Sequence, residues 1–352
     1  MVLLGWVLQL IFYNEAYHYW KQLGHEEGTW HAMTRWERLQ VAWQYGPIGL
    51  WETLRAIKLI YLGFAIATMG AILFLGILRW HMILKVHGLA LPLGRTTEIS
   101  LIAHFFNSFL LGSVGGDLFK AYYAARETHH KKVEAVVTVA VDRVIGLFSM
   151  LALACVLLLP NIDFLLIADK RLIAVIWIVI AMTAACSGFI VISFWGGVTK
   201  TFPRAREWMR KLPKGAELER SIEAFREFGR DKTFFLRVLP VSLAANGLCV
   251  VLVMFLVWGF GLTAPIDALA LAVLVATCIS SLPITPSGLG VRENLYVMFL
   301  AAAPIGIGPA EGLLISLVGY STSLFWSMIG GLVYLVVRDK EHLKEIQEEA
   351  AE

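Results

Sequence analysis

Residues 104–126 read His-Phe-Phe-Asn-Ser-Phe-Leu-Leu-Gly-Ser-Val-Gly-Gly-Asp-Leu-Phe-Lys-Ala-Tyr-Tyr-Ala-Ala-Arg. The stretch opens as an apolar helix, breaks at Gly112-Ser113-Val114-Gly115-Gly116-Asp117, and resumes at Leu118 and Phe119. A second break of similar make-up covers residues 280–293, Ser-Ser-Leu-Pro-Ile-Thr-Pro-Ser-Gly-Leu-Gly-Val-Arg-Glu. Glycine and proline release backbone amides and carbonyls from the helix ladder. In hydrocarbon each unpaired group costs several kcal/mol, so such breaks survive only where protein buries them or water fills a cavity.

The surroundings of the two breaks set their depth. The chain has 352 residues, 58% hydrophobic and 16% charged, with mean hydropathy +0.69. A water-soluble domain carries roughly 25% charged residues. The apolar residues fall in runs that reach the roughly 20 residues a bilayer-crossing helix needs. These numbers predict an all-α, polytopic membrane helical bundle and exclude a soluble enzyme. Spans are expected at Leu59–Leu78, Val133–Leu159, Leu172–Trp195, Val238–Trp258, Ile266–Leu282 and Leu313–Val337. The second break interrupts the pattern after Leu282, and helix resumes over Asn294–Ala303.

Three regions follow from this pattern. Residues 1–56 hold a short apolar run, Val2 to Tyr13, and an aromatic segment, with Met33–Trp43 reading as an interfacial helix or a loop with buried aromatics. The run has no basic n-region and no small-residue cleavage site, which argues against a signal peptide. Residues 57–337 form the membrane domain, and residues 338–352 form a charged tail. Within the domain, residues 200–237 carry eleven Lys or Arg against six Asp or Glu, a local charge of +5, and 216–229 reads as a helix. Cytoplasmic loops are enriched in Lys and Arg, so this loop and the tail are placed in the cytoplasm, across an inner membrane. Counting spans from there makes both broken segments re-entrant, each entering and leaving on one side. Aligned on each other they pair Ser108 with Ser281, Gly115 with Gly288 and, after a gap, Asp117 with Glu293. That match suggests an inverted repeat.

Two breaks in corresponding positions of two halves point to a transporter-type site near mid-membrane. The two breaks are expected to meet there and form the working site. Charges accompany them: Asp117 and Lys120 after the first, Arg292 and Glu293 after the second, Asp142 and Arg143 inside a span. Intramembrane charges face the bundle interior, pair with one another, and mark substrate paths. Two roles stay open for each, an ion pair that locks helices or a receptor for an anionic head group. Arg292 and Arg143, then Lys120, are the candidate receptors. The candidate head-group site comprises Asn107, Ser108, Gly115, Gly116, Asp117, Lys120, Asp142, Arg143, Ser287, Gly288, Gly290, Arg292 and Glu293. Ser113 and Thr285 offer further hydroxyls; these neutral groups have the alternative role of satisfying their own broken backbone.

Other chemistry finds no support. No Gly-Lys-Ser/Thr follows the glycines at 112–116, so a nucleotide loop is excluded. His129-His130 sit side by side in a basic turn, a spacing unsuited to a helical metal face. Cys155, Cys186, Cys249 and Cys278 each lie in an apolar run and read as small core residues. No metal, cofactor, nucleic acid or catalytic residue is expected.

In these motifs the chain resembles the flippase-like membrane domain of the lysylphosphatidylglycerol synthases, the multiple peptide resistance factor type, in a stand-alone form. The matching residues are Phe106-Asn107-Ser108 through Asp117, then Asp142-Arg143-Val144-Ile145-Gly146, then Thr285-Pro286-Ser287-Gly288-Leu289-Gly290-Val291-Arg292-Glu293, with Arg79-Trp80 after the early span. The resemblance covers about 57–337. It implies a helical bundle with two re-entrant segments that moves lipid between leaflets. Leu111 stands where the family has a proline, so the first break should be less rigid. The chain ends fifteen residues after the last span, with no aminoacyl-transferase domain, so lysyl transfer is not expected. The expected function is a lipid flippase or transporter for a polar-headed, anionic or amino-acylated lipid. The alternatives are a membrane-embedded transferase using Asp117, Glu293 or His104, or a membrane subunit for a separately encoded lipid-modifying enzyme. Membrane phospholipid is the expected partner; a second copy of the chain is left open.

Overall fold

The computed structural model describes residues 9, 12, 16, 20, 33–89, 91–109, 115–128, 131–161, 170–193, 215–231, 233–282, 288 and 290–349. Among them no strand occurs. The helices, in chain order, are α1 Arg35–Arg55, α2 Leu59–Val86, α3 Leu93–Phe109, α4 Gly115–Glu127, α5 Lys132–Leu158, α6 Lys170–Val191, α7 Gly215–Arg230, α8 Phe234–Gly259, α9 Ile266–Ser280, α10 Val291–Ala301 and α11 Pro309–Glu349. Five are long and apolar enough to cross a membrane: α2, α5, α6 over Leu172–Val191, α8, and α11 over Pro309–Val337. This is the integral, multi-pass membrane protein that composition required.

Several boundaries differ from expectation: α8 and α11 each begin four residues before the expected Val238 and Leu313, and the expected span Ile266–Leu282 is the 15-residue α9, which is not among the five. The first span runs on through Arg79, Trp80 and His81 to Val86, where the sequence reading ended it at Leu78. Arg79 is no flank of the span, because its charge is met inside the protein. The last span continues without a break into the charged tail, and α11 ends at Glu349.

The chain divides into two compact units. One holds residues 1–68, 156–177 and 249–322; the other holds 69–155, 178–248 and 323–352. The dividing points fall within α2, α5, α6, α8 and α11. The second unit contains α3 and α4, the helices either side of the first break, which pack on each other. The first unit contains α9 and α10, the helices either side of the second break, which do the same. These four have 17, 13, 15 and 11 residues, all below the roughly 20 of a typical bilayer-crossing helix.

In the second unit, α3 is seated between α4 and α11 by close backbone contact. A Cβ on Gly116 would collide with the Ala103 carbonyl oxygen, and one on Gly330 with that of Leu101. Around them Trp80, Leu84, Ile99, Ile102, Tyr123, Ala124 and Val139 form one apolar cluster. A second cluster joins Ile83, Val141 and Ile145 to Phe228 of α7 and Phe234 of α8. In the first unit, α9 is buried from Ala268 through Ala276. A helix apolar all round belongs inside a bundle, and its sequence allows it no polar face.

The amphipathic helix α7 is held at the end of α2 by a hydrogen bond to a carboxylate. Nδ1 of His87 lies 2.7 Å from Glu227 Oε2, and its ring meets Phe228 edge-on at 4.6 Å. Lys131 Nζ donates to the His87 carbonyl at 2.7 Å. The carboxylate accepts, so Nδ1 carries the proton, and the buried Nε2 has no hydrogen-bond partner. Burial lowers the His87 pKa below 6.5, with Lys131 adding to the effect and Glu227 and Glu134 opposing it. A group with a depressed folded pKa contributes stability that is present above its unfolded pKa and is lost as pH falls. The melting temperature in detergent should therefore drop as pH is lowered through and below 6.5. In His87→Asn, whose amide keeps the Nδ1 donor, that fraction of the pH dependence should vanish. An unchanged profile would show that His87 stays neutral at no cost.

Candidate functional site

Two cations of the second unit converge on one carboxylate. Asp142 of α5 receives Arg79 Nε on Oδ1 at 2.7 Å and Lys120 Nζ on Oδ2 at 2.9 Å. All three side chains are 15% exposed or less. Arg79 also donates from Nη1 to Ser242 Oγ of α8 at 3.3 Å. Its guanidinium lies against Gly146, where a Cβ would fall 2.9 Å from Nη1. The glycine of the Asp142-Arg143-Val144-Ile145-Gly146 motif thus makes room for a cation one helical turn from the acid. Lys120 sits 4.2 Å above the centre of the Trp80 ring, whose Nε1 donates to Thr138 Oγ1 at 3.2 Å. An aromatic face steadies a desolvated ammonium through its quadrupole.

Asp117 and Arg143 form a second pair beside this one. The Arg143 side chain is 45% exposed, the most open of the five charges. Counting Arg79, Lys120 and Arg143 against Asp117 and Asp142 gives three cations to two carboxylates, a net charge of +1.

The neutral residues of the first break serve the backbone. Gly116 N–H, one of the orphan donors in the first turn of α4, donates to Asn107 Oδ1 at 2.9 Å. Ser108 Oγ donates to the His104 carbonyl at 3.1 Å. The His104 ring nitrogen Nε2 donates to the Ser323 carbonyl at 3.2 Å. Gly115 opens α4 and is half-buried. Gly112 and Ser113 lie outside the described residues.

In the first unit the second break has its own polar knot. Glu293 is fully buried and accepts from Gly290 N–H through Oε2 and from Arg292 Nη2 through Oε1. Glycine has no side chain to return the bond, so this is half of a capping box. Arg292 also donates from Nε to Ser316 Oγ at 3.1 Å and lies 4.4 Å over the Tyr320 ring. Gly288 and Gly290 have φ of +70° and +84°. A side chain would be strained at either, and a Cβ at Gly288 would stand 2.8 Å from the Ser280 carbonyl oxygen. Thr285 and Ser287 lie outside the described residues.

The sequence reading thus named Asp117, Lys120, Asp142 and Arg143, which the fold gathers in one unit, and Arg292 with Glu293, which it pairs in the other. It left Arg79, Trp80, Ser242, Ser316 and Tyr320 out of the site. The available signal was Arg79, a charge in an apolar helix that continues past it with Ile83 and Leu84. Nothing local marks the others. Among the described residues no group of three His, Cys, Asp or Glu side chains is placed to hold a metal ion.

The family model described as "Lysylphosphatidylglycerol synthase TM region" matches residues 39–331. A UPF0104 membrane protein of Methanothermobacter thermautotrophicus is 22% identical over 286 residues, covering 75% of this chain and 81% of the relative.

Proposed function

We propose, for a chain that belongs to the lysylphosphatidylglycerol synthase TM-region family, that it moves a polar-headed lipid between the leaflets of the bilayer and carries out no group transfer. The observation behind this reading is the gathering of the Arg79–Lys120–Asp142 and Asp117–Arg143 groups beside the first break, with the Arg143 side chain 45% exposed. Charges held inside a membrane protein are costly and mark substrate paths, and an accessible guanidinium there suits an anionic visitor. A phosphodiester head group supplies one negative charge and oxygens that Arg recognises bidentately. Arg143, the exposed member, is the receptor we assign to it; the acyl chains stay in the bilayer. The breaks beside these charges are read as re-entrant, with the basic loop and tail on the cytoplasmic side of an inner membrane.

A transferase reading asks for an acid or base able to reach a substrate. Glu293 is fully buried in an ion pair, His104 is engaged with Ser323, and Asp117 is 20% exposed beneath the more open Arg143. This favours transport. The test is dithionite bleaching of fluorescent phosphatidylglycerol in liposomes containing the purified protein. Wild type should expose inner-leaflet lipid to the reagent. Arg143→Ala should slow this by about tenfold, the loss of one charge-assisted hydrogen bond, with stability lowered by no more than about 1 kcal/mol from losing the half-exposed pair with Asp117. Arg143→Lys should keep part of the rate. Equal rates for wild type and Arg143→Ala, or no movement by wild type, would overturn the proposal.

A further inference from the structure

We infer that α1 is an interfacial helix, lying flat in the head-group layer with a tryptophan stripe toward the bilayer. The inference is independent of what the protein transports. Trp36, Trp43 and Trp51 are 72%, 53% and 52% exposed. They are seven and eight residues apart, close to two helical turns each, so they share one side of the helix. Exposed Gln40, Gln44 and Pro47 lie between them. The opposite side is the one the protein covers. Ala42 and Gly46 are buried there, and a Cβ on Gly46 would stand 2.5 Å from that of Phe12. Phe12 meets the Trp43 ring edge-on at 5.2 Å. The helix therefore has one protein-facing side of small residues and one open side rich in indoles.

What covers the open side follows from where α1 ends. Only Ala56, Ile57 and Lys58 separate it from the first membrane span, which begins at Leu59. Lys58 N–H donates to the carbonyl of Gly259, the last residue of the α8 span, at 2.9 Å. The start of one span and the end of another are thereby fixed at one level. Aromatics mark that level as a membrane–water boundary: Tyr61 with Trp258 at 6.3 Å, and Phe64 stacked on Phe255 at 5.3 Å. The open surface of the span continues there with Leu59 and Ile60.

Length decides the orientation. From Trp51 to Trp36 the helix rises about 22 Å. The head-group layer on each side is only roughly 5–8 Å thick. An upright α1 would hold Trp36 and Trp43 in water, where exposed indoles have nothing to meet. A spanning α1 would have to cross with Arg35, Glu37, Arg38, Gln40, Gln44, Glu52 and Arg55 aboard, and it is not among the helices apolar enough to do so. Lying flat places every indole at the depth that indole prefers and leaves the charged ends in water. Arg55, 5.0 Å from the Trp51 ring, sits where a guanidinium reaches phosphate oxygens while its indole stays below.

The test uses the full chain with its four cysteines replaced by Ala, reconstituted in phosphatidylcholine–phosphatidylglycerol vesicles. A polarity-sensitive NBD label is placed singly at Trp36→Cys, Gln40→Cys or Gln44→Cys. Gln40 and Gln44 keep all three indoles, so a folding defect in the Trp36 variant leaves the test intact. Nitroxide lipids labelled near the head group should quench all three at least about twofold more than lipids labelled at the chain end, as for a helix seated ~5–10 Å into the boundary. Strong quenching by aqueous iodide at positions 36 and 40, with none by nitroxide lipid, would mean an upright helix. Stronger chain-end quenching would mean a span. Protection from both quenchers would mean that another protein surface covers the stripe. Each of these three results overturns the inference.

Discussion

Asp142→Asn should be among the most damaging single substitutions in the chain, lowering stability by about 4 kcal/mol, in the range measured when one partner of a buried ion pair is removed. The carboxylate is shared by Arg79 and Lys120 and is 7% exposed. Asparagine has the same shape but offers one acceptor and no charge. Two buried cations would then face each other across an amide, the net charge of the trio rising from +1 to +2. The prediction separates charge from geometry through a second variant. Lys120→Met in the Asp142→Asn background returns the trio to +1 and keeps an apolar chain over Trp80. About half of the lost stability should come back, since the remaining Arg79 still bonds Ser242. Thermal unfolding in detergent reads both steps. If Asp142→Asn melts within a degree or so of wild type, the trio is not desolvated as described. If the double variant is no better than the single, the damage lies in the hydrogen bonds and charge balance is irrelevant.

This cluster also marks what a sequence can and cannot disclose. The spans were legible because hydropathy is a local quantity: twenty apolar residues mean a crossing helix wherever they occur. The breaks were legible because glycine and proline act on their own backbone. Gly288 and Gly290, with positive φ, are cases in which residue type and conformation coincide at one position. The partners were not legible. Arg79 meets Asp142 across 63 residues, and Ser242 meets Arg79 across 163. No periodicity carries such a pairing. The error at the end of the first span has the same origin: an arginine after an apolar run reads as an interfacial flank unless its distant carboxylate is known. Asn107 is the converse. Its side chain was open between binding a head group and satisfying a freed amide, and only the placement of Gly116 N–H 2.9 Å away assigns it a backbone bond.

Glu293→Gln should be the second large loss, about 3 kcal/mol, and it tests whether the knot after the second break is held by charge. Glutamine can still accept from Gly290 N–H, so the start of α10 keeps that bond. What it cannot do is neutralise Arg292. Its amide N–H₂ would point at, or be turned away from, a guanidinium that already spends Nε on Ser316 and its face on Tyr320. Leaving Arg292, 16% exposed, uncompensated is the source of the cost. Asp267→Asn supplies the reference, because Asp267 is an exposed acid in the first turn of α9 of the same unit. Losing its interaction with the helix dipole should cost under about 1 kcal/mol. Pairing Glu293→Gln with Arg292→Met removes both charges and should regain more than half of the loss, as apolar replacement of a whole buried ion pair commonly does. Equal melting temperatures for Glu293→Gln and Asp267→Asn would show that the fully buried carboxylate is neutral in the folded protein and that Arg292 is balanced from elsewhere. A double variant worse than Glu293→Gln alone would assign Arg292 a packing role against Tyr320 that outweighs its charge.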